Sequence, residues 1–241
     1  MSLFFSFIFI VACIFVFVMA ILLNLETATT NCSVSLAKDG ELVALKEFDS
    51  ANYSHAEQLH IFIEDVLKEA SISLQKINAI AVSKGPGSYT GLRIGVSAAK
   101  GLCFSLDIPL ISVPTLESMA QQSENSKYDF IIPVLDARRM EVYSSVFDTD
   151  LKEIRETKAE IIREESFLEF AEKGTVLILG SGAEKCKEIL NNNNFNFDTI
   201  SVPSAREMAV LSYKKFKEND FENVAYFEPY YLKDFILHKK A

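Results

Sequence analysis

An α/β fold built as two similar lobes is what this sequence predicts, on three observations. Apolar strand-like runs alternate with segments of helical period along the chain. Two stretches open alike, as strand, acid, polar turn, strand: Ile21–Leu25, Glu26, Thr27–Asn31 and Cys32–Ala37, then Ile131–Leu135, Asp136, Ala137–Met140 and Glu141–Phe147. Two strand–glycine–helix units also occur, Ile77–Val82 leading into KGPGSYTGLRIG (Lys84–Gly95) and Val176–Leu179 leading into Gly180-Ser181-Gly182. A chain of 241 residues has room for one large domain or two small ones.

Taken in order, Ile21–Leu25 and Cys32–Ala37 read as strands, with a third over Glu41–Phe48 after Asp39-Gly40. A helix follows, His55–Ala70: Ser54 and Glu57 form a capping box, and Leu59, Phe62, Ile63, Val66, Leu67 and Ala70 make one apolar stripe. Ile77–Val82 is a buried strand and Leu92–Leu106 a second helix, rich in the small residues Gly95, Ser97, Ala98, Ala99 and Gly101, which suit close helix packing or a dimer face. Leu110–Val113 is a strand, with Thr115 capping a helix through Gln122. Polar Ser123–Asp129 divides a first lobe (19–122) from a second (123–241). The second lobe continues through the strand Val176–Leu179, a helix to Leu190, a loop Asn191–Asn194 and a helix Ala205–Lys217; the aromatic tail Tyr226–Leu232 packs back on the body.

The amino terminus poses its own question. Leu3–Leu23 is almost wholly apolar and long enough to span a bilayer. No Lys or Arg precedes it, and Ile21–Leu25 is needed as a core strand. The reading is therefore a true start at Met19, with residues 1–18 a miscalled apolar extension, and a cytoplasmic protein; a signal-anchor-like segment, with membrane anchoring by residues 3–23, is the alternative.

Composition narrows the function. The net charge of −9 makes the chain a poor nucleic-acid binder by itself, because that binding is driven by neutralising phosphates. Cys13, Cys32, Cys103 and Cys186 lie far apart without metal-ligand spacing, as in a reduced cytosolic chain. With only three histidines, one of them His238 near the end, a histidine-rich metal site is not expected.

Lys84–Gly95 holds four of the nine glycines in the chain. Between a strand and a helix, such a loop permits close backbone approach and aims helix N–H groups at whatever lies ahead, with Arg93 adding a forked cation. It lacks the Gly-Lys-Ser/Thr ending of a Walker loop and the spacing of a dinucleotide fingerprint. The residues alone leave two readings, a close-approach loop of unassigned ligand or a tight connection.

KGPGSYTGLRIGVSAAKGL resembles the signature of the bacterial TsaB/YeaZ family, also labelled glycoprotease-like. ILLNLETATTNCSVSL (Ile21–Leu36) resembles the family's opening hairpin, Ser54-His55-Ala56-Glu57 its helix start, VLDARRMEVYSSVF (Val134–Phe147) its Asp-Ala-Arg hairpin, and PYYLK (Pro229–Lys233) its C-terminal Pro-x-Tyr-Leu-Arg. The matches are in order and reach from about Ala20 onward. The resemblance implies a duplicated actin/hexokinase-like (ribonuclease-H-like, ASKHA) two-lobe fold. It also implies a role in the complex that attaches threonylcarbamoyl to adenosine 37 of tRNAs reading codons that begin with A. The implied partners are a TsaD-type catalytic paralogue and a TsaE-type ATPase, with a homodimer when alone and tRNA met only indirectly.

Active members of this superfold wrap nucleotide phosphates with glycines in two hairpin turns and hold metal with acids. Glu26 and Asp136 stand at the matching places, but Thr27–Asn31 and Ala137–Met140 contain no glycine, so side chains crowd the phosphate position. Glu26-Thr27-Ala28 departs even from the family's Asp-Thr-Ser. The paralogue's metal pair, His-x-x-x-His, is also missing: His55 and His60 are five apart, about 140° around a helix, and Leu59 takes the second ligand's place. No Ser–His–Asp or Cys–His arrangement supports a protease. The expectation is a non-catalytic binding subunit without metal, with ATP or ADP met only within the complex near Lys84, Gly85, Gly87, Ser88, Thr90 and Gly91. The partner would meet the two first-lobe helices at His55, Leu59, Phe62, Ile63, Arg93, Ser97 and Lys100; for Leu59, Phe62 and Ile63 the internal core is an equal reading. The competing reading is an ATP-dependent phosphotransferase or hydrolase of the actin-like superfold acting alone.

Overall fold

A computed structural model describes residues 19–50, 55–123 and 127–233. Its elements are β1 (Ile21–Glu26), β2 (Asn31–Lys38), β3 (Glu41–Asp49), α1 (His55–Glu69), β4 (Ala79–Gly85), α2 (Tyr89–Leu106), β5 (Leu110–Pro114), α3 (Thr115–Ala120), β6 (Phe130–Asp136), β7 (Glu141–Asp148), β8 (Glu153–Ile161), α4 (Leu168–Ala171), β9 (Val176–Leu179), α5 (Ala183–Ile189), β10 (Phe195–Asp198) and α6 (Ala205–Glu218). They build two five-stranded sheets, ordered β3-β2-β1-β4-β5 and β8-β7-β6-β9-β10. In each sheet the first three strands are antiparallel and the last two join in parallel. The same order and sense, strand for strand, make this the duplicated actin/hexokinase-like two-lobe fold.

β1 shows why one run reads as continuously apolar: both faces of its sheet are covered. Leu23 and Leu25 face α1 and α2, packing with Val34, Leu59, Val66 and Val96. Leu22, on the opposite side of the pleat, packs with Ala79, Ala81, Ile111 and Met208 of α6. The last residues of the apolar amino-terminal run are therefore core; residues 1–18 lie outside the described residues, and among those described no helix is long and apolar enough to cross a membrane.

Several expectations shift. Ser54 of the capping box, Cys13 and His238 lie outside the described residues. α2 starts at Tyr89, three residues before Leu92, because Ser88 caps it by accepting from the Gly91 N–H at 3.3 Å. Thr115 is the first residue of α3 rather than its cap. β8, α4 and β10 were not expected. The division near Ser123 separates the two sheets, but α6 and the tail cross back: α6 packs on the first sheet, and Glu222 bridges to Leu110 at its β5 edge.

Candidate functional site

The glycine loop approaches something closely, and that something is the chain's own first turn. The Ser88 N–H donates to the Ala28 carbonyl at 2.6 Å. A Cβ at Gly87 would strike the Ala28 carbonyl, at Gly91 the Thr27 carbonyl, and at Gly95 the Thr27 hydroxyl. Gly85 adopts φ +103, where a side chain is strained, and lies against the Tyr230 carbonyl. The expected nucleotide-proximal residues therefore divide. Gly85, Gly87 and Gly91 face the chain itself, Ser88 caps α2, and Thr90 is exposed beside α1. Lys84 lines a ≈ 650 Å³ cavity between the lobes, where five glutamates, Glu117, Glu153, Glu156, Glu222 and Glu228, share the wall. That wall repels a polyphosphate.

The two acids are brought to equivalent strand ends but not into one open site. Glu26 is fully buried, and its Oε1 accepts the Ala28 N–H at 2.6 Å. Burial pushes its carboxyl up to about 7, against the pull of hydrogen bonds from Ala28, Ser83 and Thr27, and nearby Glu207 adds a smaller push upward. Asp136 is exposed but engaged: its Oδ1 accepts from the Arg138 N–H at 2.6 Å and from Lys185 Nζ at 2.7 Å. Lys185 Nζ also donates to the Arg139 and Glu141 carbonyls at 2.7 and 3.1 Å. A lysine head thus sits on the acid, closing the turn where a metal or phosphate would need room. Replacing Lys185 with methionine is expected to speed amide hydrogen exchange across residues 137–141 and to cost about 1–2 kcal/mol, checked by exchange mass spectrometry and denaturation.

Of the described histidines, His55 serves structure. His55 is 1% exposed, and its Nε2–H donates to the Thr29 carbonyl at 2.7 Å, tying α1 to the first turn; burial holds its pKa below the ordinary value. Leu59 is wholly buried and His60 faces outward. This set does not fit the paralogue's metal pair, and among the described residues no three His, Cys, Asp or Glu side chains group to hold a metal.

The open surface is a ≈ 740 Å³ groove between α1 and α2, lined among others by His60, Tyr89, Thr90, Arg93, Ser97 and Leu102. Of the expected interface residues, Arg93 and Ser97 line it. His55, Leu59 and Ile63 do not reach a partner directly, because the stripe they belong to faces the lobe's own core, and Phe62 packs half-buried on that core. Lys100 is occupied within the chain, donating to the Ala225 and Phe227 carbonyls at 3.1 and 3.0 Å. The small-residue face also divides: Gly95 and Ala99 turn inward, while Ser97 and Gly101 turn outward beside Phe104, which is 85% exposed. Sequence reasoning passed over Ala56, His60 and Tyr89, although the i, i+4 spacing of Ala56–His60 and Tyr89–Arg93–Ser97 marks a second face on each helix.

Comparison with known proteins agrees with this geometry. Residues 49–237 match the family described as TsaD: tRNA N6-adenosine threonylcarbamoyltransferase. The tRNA threonylcarbamoyladenosine biosynthesis protein TsaB of Escherichia coli (strain K12) is 30% identical over 227 residues, taking in 91% of this chain and 97% of that protein. The tRNA N6-adenosine threonylcarbamoyltransferase of Bacillus thuringiensis (strain Al Hakam) is 38% identical over 108 residues, 39% of this chain and 32% of that one. A crystal structure from Pseudomonas aeruginosa, of a protein with similarity to peptidase YEAZ, superposes with a TM-score of 0.80 at 25% identity, covering 89% of this chain and 100% of that one. A match to TsaB over most of both chains, together with a partial match to the transferase, places the chain in one branch: it belongs to the TsaB/YeaZ family of tRNA threonylcarbamoyladenosine biosynthesis proteins, within the wider TsaD family.

Proposed function

We propose that this chain is the non-catalytic partner subunit of the cytoplasmic complex that attaches threonylcarbamoyl to adenosine 37 of tRNAs reading codons that begin with A. The observation that carries the reading is the internal closure of its two acids: Glu26 is sealed beneath the first turn, and Asp136 is held by Lys185. Chemistry on a nucleotide needs those groups free, so the chain works by binding. The α1–α2 groove is the surface offered, and a TsaD-type catalytic paralogue docks there, stabilised or activated by the contact. Alone, the chain pairs with a second copy through the same face. A TsaE-type ATPase joins the pair, any ATP or ADP is held only within the assembly, and a chain of net charge −9 leaves the basic tRNA surface to its partners.

The test is reconstitution with the same organism's paralogue, ATPase, tRNA, ATP and threonylcarbamoyl-adenylate, omitting each protein in turn. Modified adenosine is expected to require this chain, which alone neither hydrolyses ATP nor modifies tRNA. Turnover of ATP by the chain alone, or modification in its absence, overturns the reading.

A further inference from the structure

The C-terminal motif PYYLK, whose Tyr230 carbonyl lies against Gly85, runs across both lobes. The Tyr230 N–H donates to the Lys84 carbonyl at 2.7 Å, and Lys233 Nζ donates to the Ala137 carbonyl at 3.3 Å and pairs with Glu141 on the second-lobe hairpin. Between them Tyr231 turns to α2. Its ring packs on Tyr89 with centroids 5.0 Å apart, and its hydroxyl accepts from Arg93 Nε at 3.3 Å. Arg93 in turn lies with Cζ 4.2 Å from the centre of the Tyr89 ring.

Arg93 is thus held on one side by a ring face and at Nε by a hydroxyl, while its two terminal NH2 groups make no hydrogen bond among the described residues. Those two groups are the fork that grips a carboxylate with parallel hydrogen bonds. Arg93 is also the one side chain among the described groove residues with a permanent charge; the others are His60, aromatic, small or aliphatic. Glu228 of the same tail acts on Arg93 by charge but forms no ion pair with it among the described residues, so a partner covering this groove would bury a guanidinium without a hydrogen-bonded counter-ion, which is strongly unfavourable. The partner must therefore bring an acid.

We propose that the partner docked on the α1–α2 groove presents an Asp or Glu side chain to Arg93, and that Tyr231 is the positioning residue that sets the guanidinium for it. The proposal rests on the reading of the groove as the docking face. Tyr231 acts by restricting the arginine before binding, so that less side-chain freedom is lost on contact. The carboxyl tail thereby becomes part of the interface although its residues lie far from α1 and α2 in sequence.

The experiment measures the dissociation constant between the full chain and the catalytic paralogue by calorimetry, with thermal unfolding of each variant alongside. Arg93→Ala is expected to weaken binding at least tenfold. Arg93→Lys, which keeps the charge and loses the fork, should come close to that loss. Tyr231→Phe, which removes one hydroxyl, should weaken binding about threefold to fivefold with no change in melting temperature. In the Arg93→Ala background, Tyr231→Phe should change nothing further. If Tyr231→Phe is silent, or is equally costly without Arg93, the positioning role is wrong while the groove reading stands. If Arg93→Ala binds the paralogue normally, no acid meets Arg93 and the proposal is overturned, although the groove remains the surface offered. If Arg93→Ala weakens only self-association, the acid belongs to a second copy of this chain and the proposal is overturned.

Discussion

Alanine at position 91 is expected to cost the fold about 3 kcal/mol, read as a shift of the denaturation midpoint. The added methyl would meet the Thr27 carbonyl oxygen, a backbone atom that cannot rotate away, with the His55 ring edge at 3.3 Å and the Ser88 Cβ at 3.4 Å closing the other sides. Relief requires the first turn to part from α2, which breaks the Ser88–Ala28 hydrogen bond and loosens the His55–Thr29 tie. Gly101→Ala in the same helix is the control. Nothing lies within 4 Å of its added carbon, so it should stabilise by about 0.5–1 kcal/mol. Equal effects at the two positions would show that the loop glycines serve flexibility rather than contact.

The second large effect is on pH dependence. The buried Glu26 carboxyl titrates at about 7 in the folded chain, against the ordinary 4.5 when unfolded. Below pH 4.5 both states hold the proton. Between 4.5 and 7 the unfolded chain releases it and the folded chain keeps it, so stability falls as pH rises, by about 3 kcal/mol across the window. Glu26→Gln keeps an oxygen for the Ala28 N–H and carries no charge to bury; it should be more stable than the parent at pH 8 and equal to it near pH 4.5. His55 has the opposite sign: its pKa is lowered by burial, so its contribution is present above the ordinary value of 6.5 and lost as pH falls below it. Subtracting the Glu26→Gln curve from the parent curve isolates the glutamate. A flat difference between pH 4.5 and 8 would mean that the side chain is hydrated after all.

What could be read from the residues followed their range of interaction. Period-2 and period-3.6 patterns located most strands and the long helices within a few residues, because burial on one or both faces writes itself locally. β8 escaped: EIRETKAEI carries charges on most positions, since one face is open to water, and apolar alternation has little to show there. The glycines announced a close approach but not its object, which lies far upstream at Thr27 and Ala28. The apolar stripe of α1 was equally compatible with core and interface, and only the position of the sheet decides that Leu59 and Ile63 belong to the core. The engagement of Asp136 by Lys185, and of Arg93 by Tyr231, could not be read at all, because both pairings join distant segments with no local periodicity.

The return of α6 to the first sheet carries a consequence for the order of synthesis. Ala205, Met208 and Leu211 fill the face of that sheet behind Leu22, Ala79 and Ile111, and Ser35 and Ser33 bond the start of the same helix through the Ala205 carbonyl and N–H. The strands made first are thus left with one bare face until nearly the whole chain has emerged from the ribosome. The second sheet, from Phe130 to Asp198, is uninterrupted and can close while the earlier strands wait. Removing the chain from residue 205 onward should therefore damage the amino-terminal lobe and spare the carboxyl-terminal one, and a nascent chain with about 200 residues clear of the ribosome should show a protease-resistant core beginning near residue 115, where α3 packs on the second sheet, rather than near residue 19.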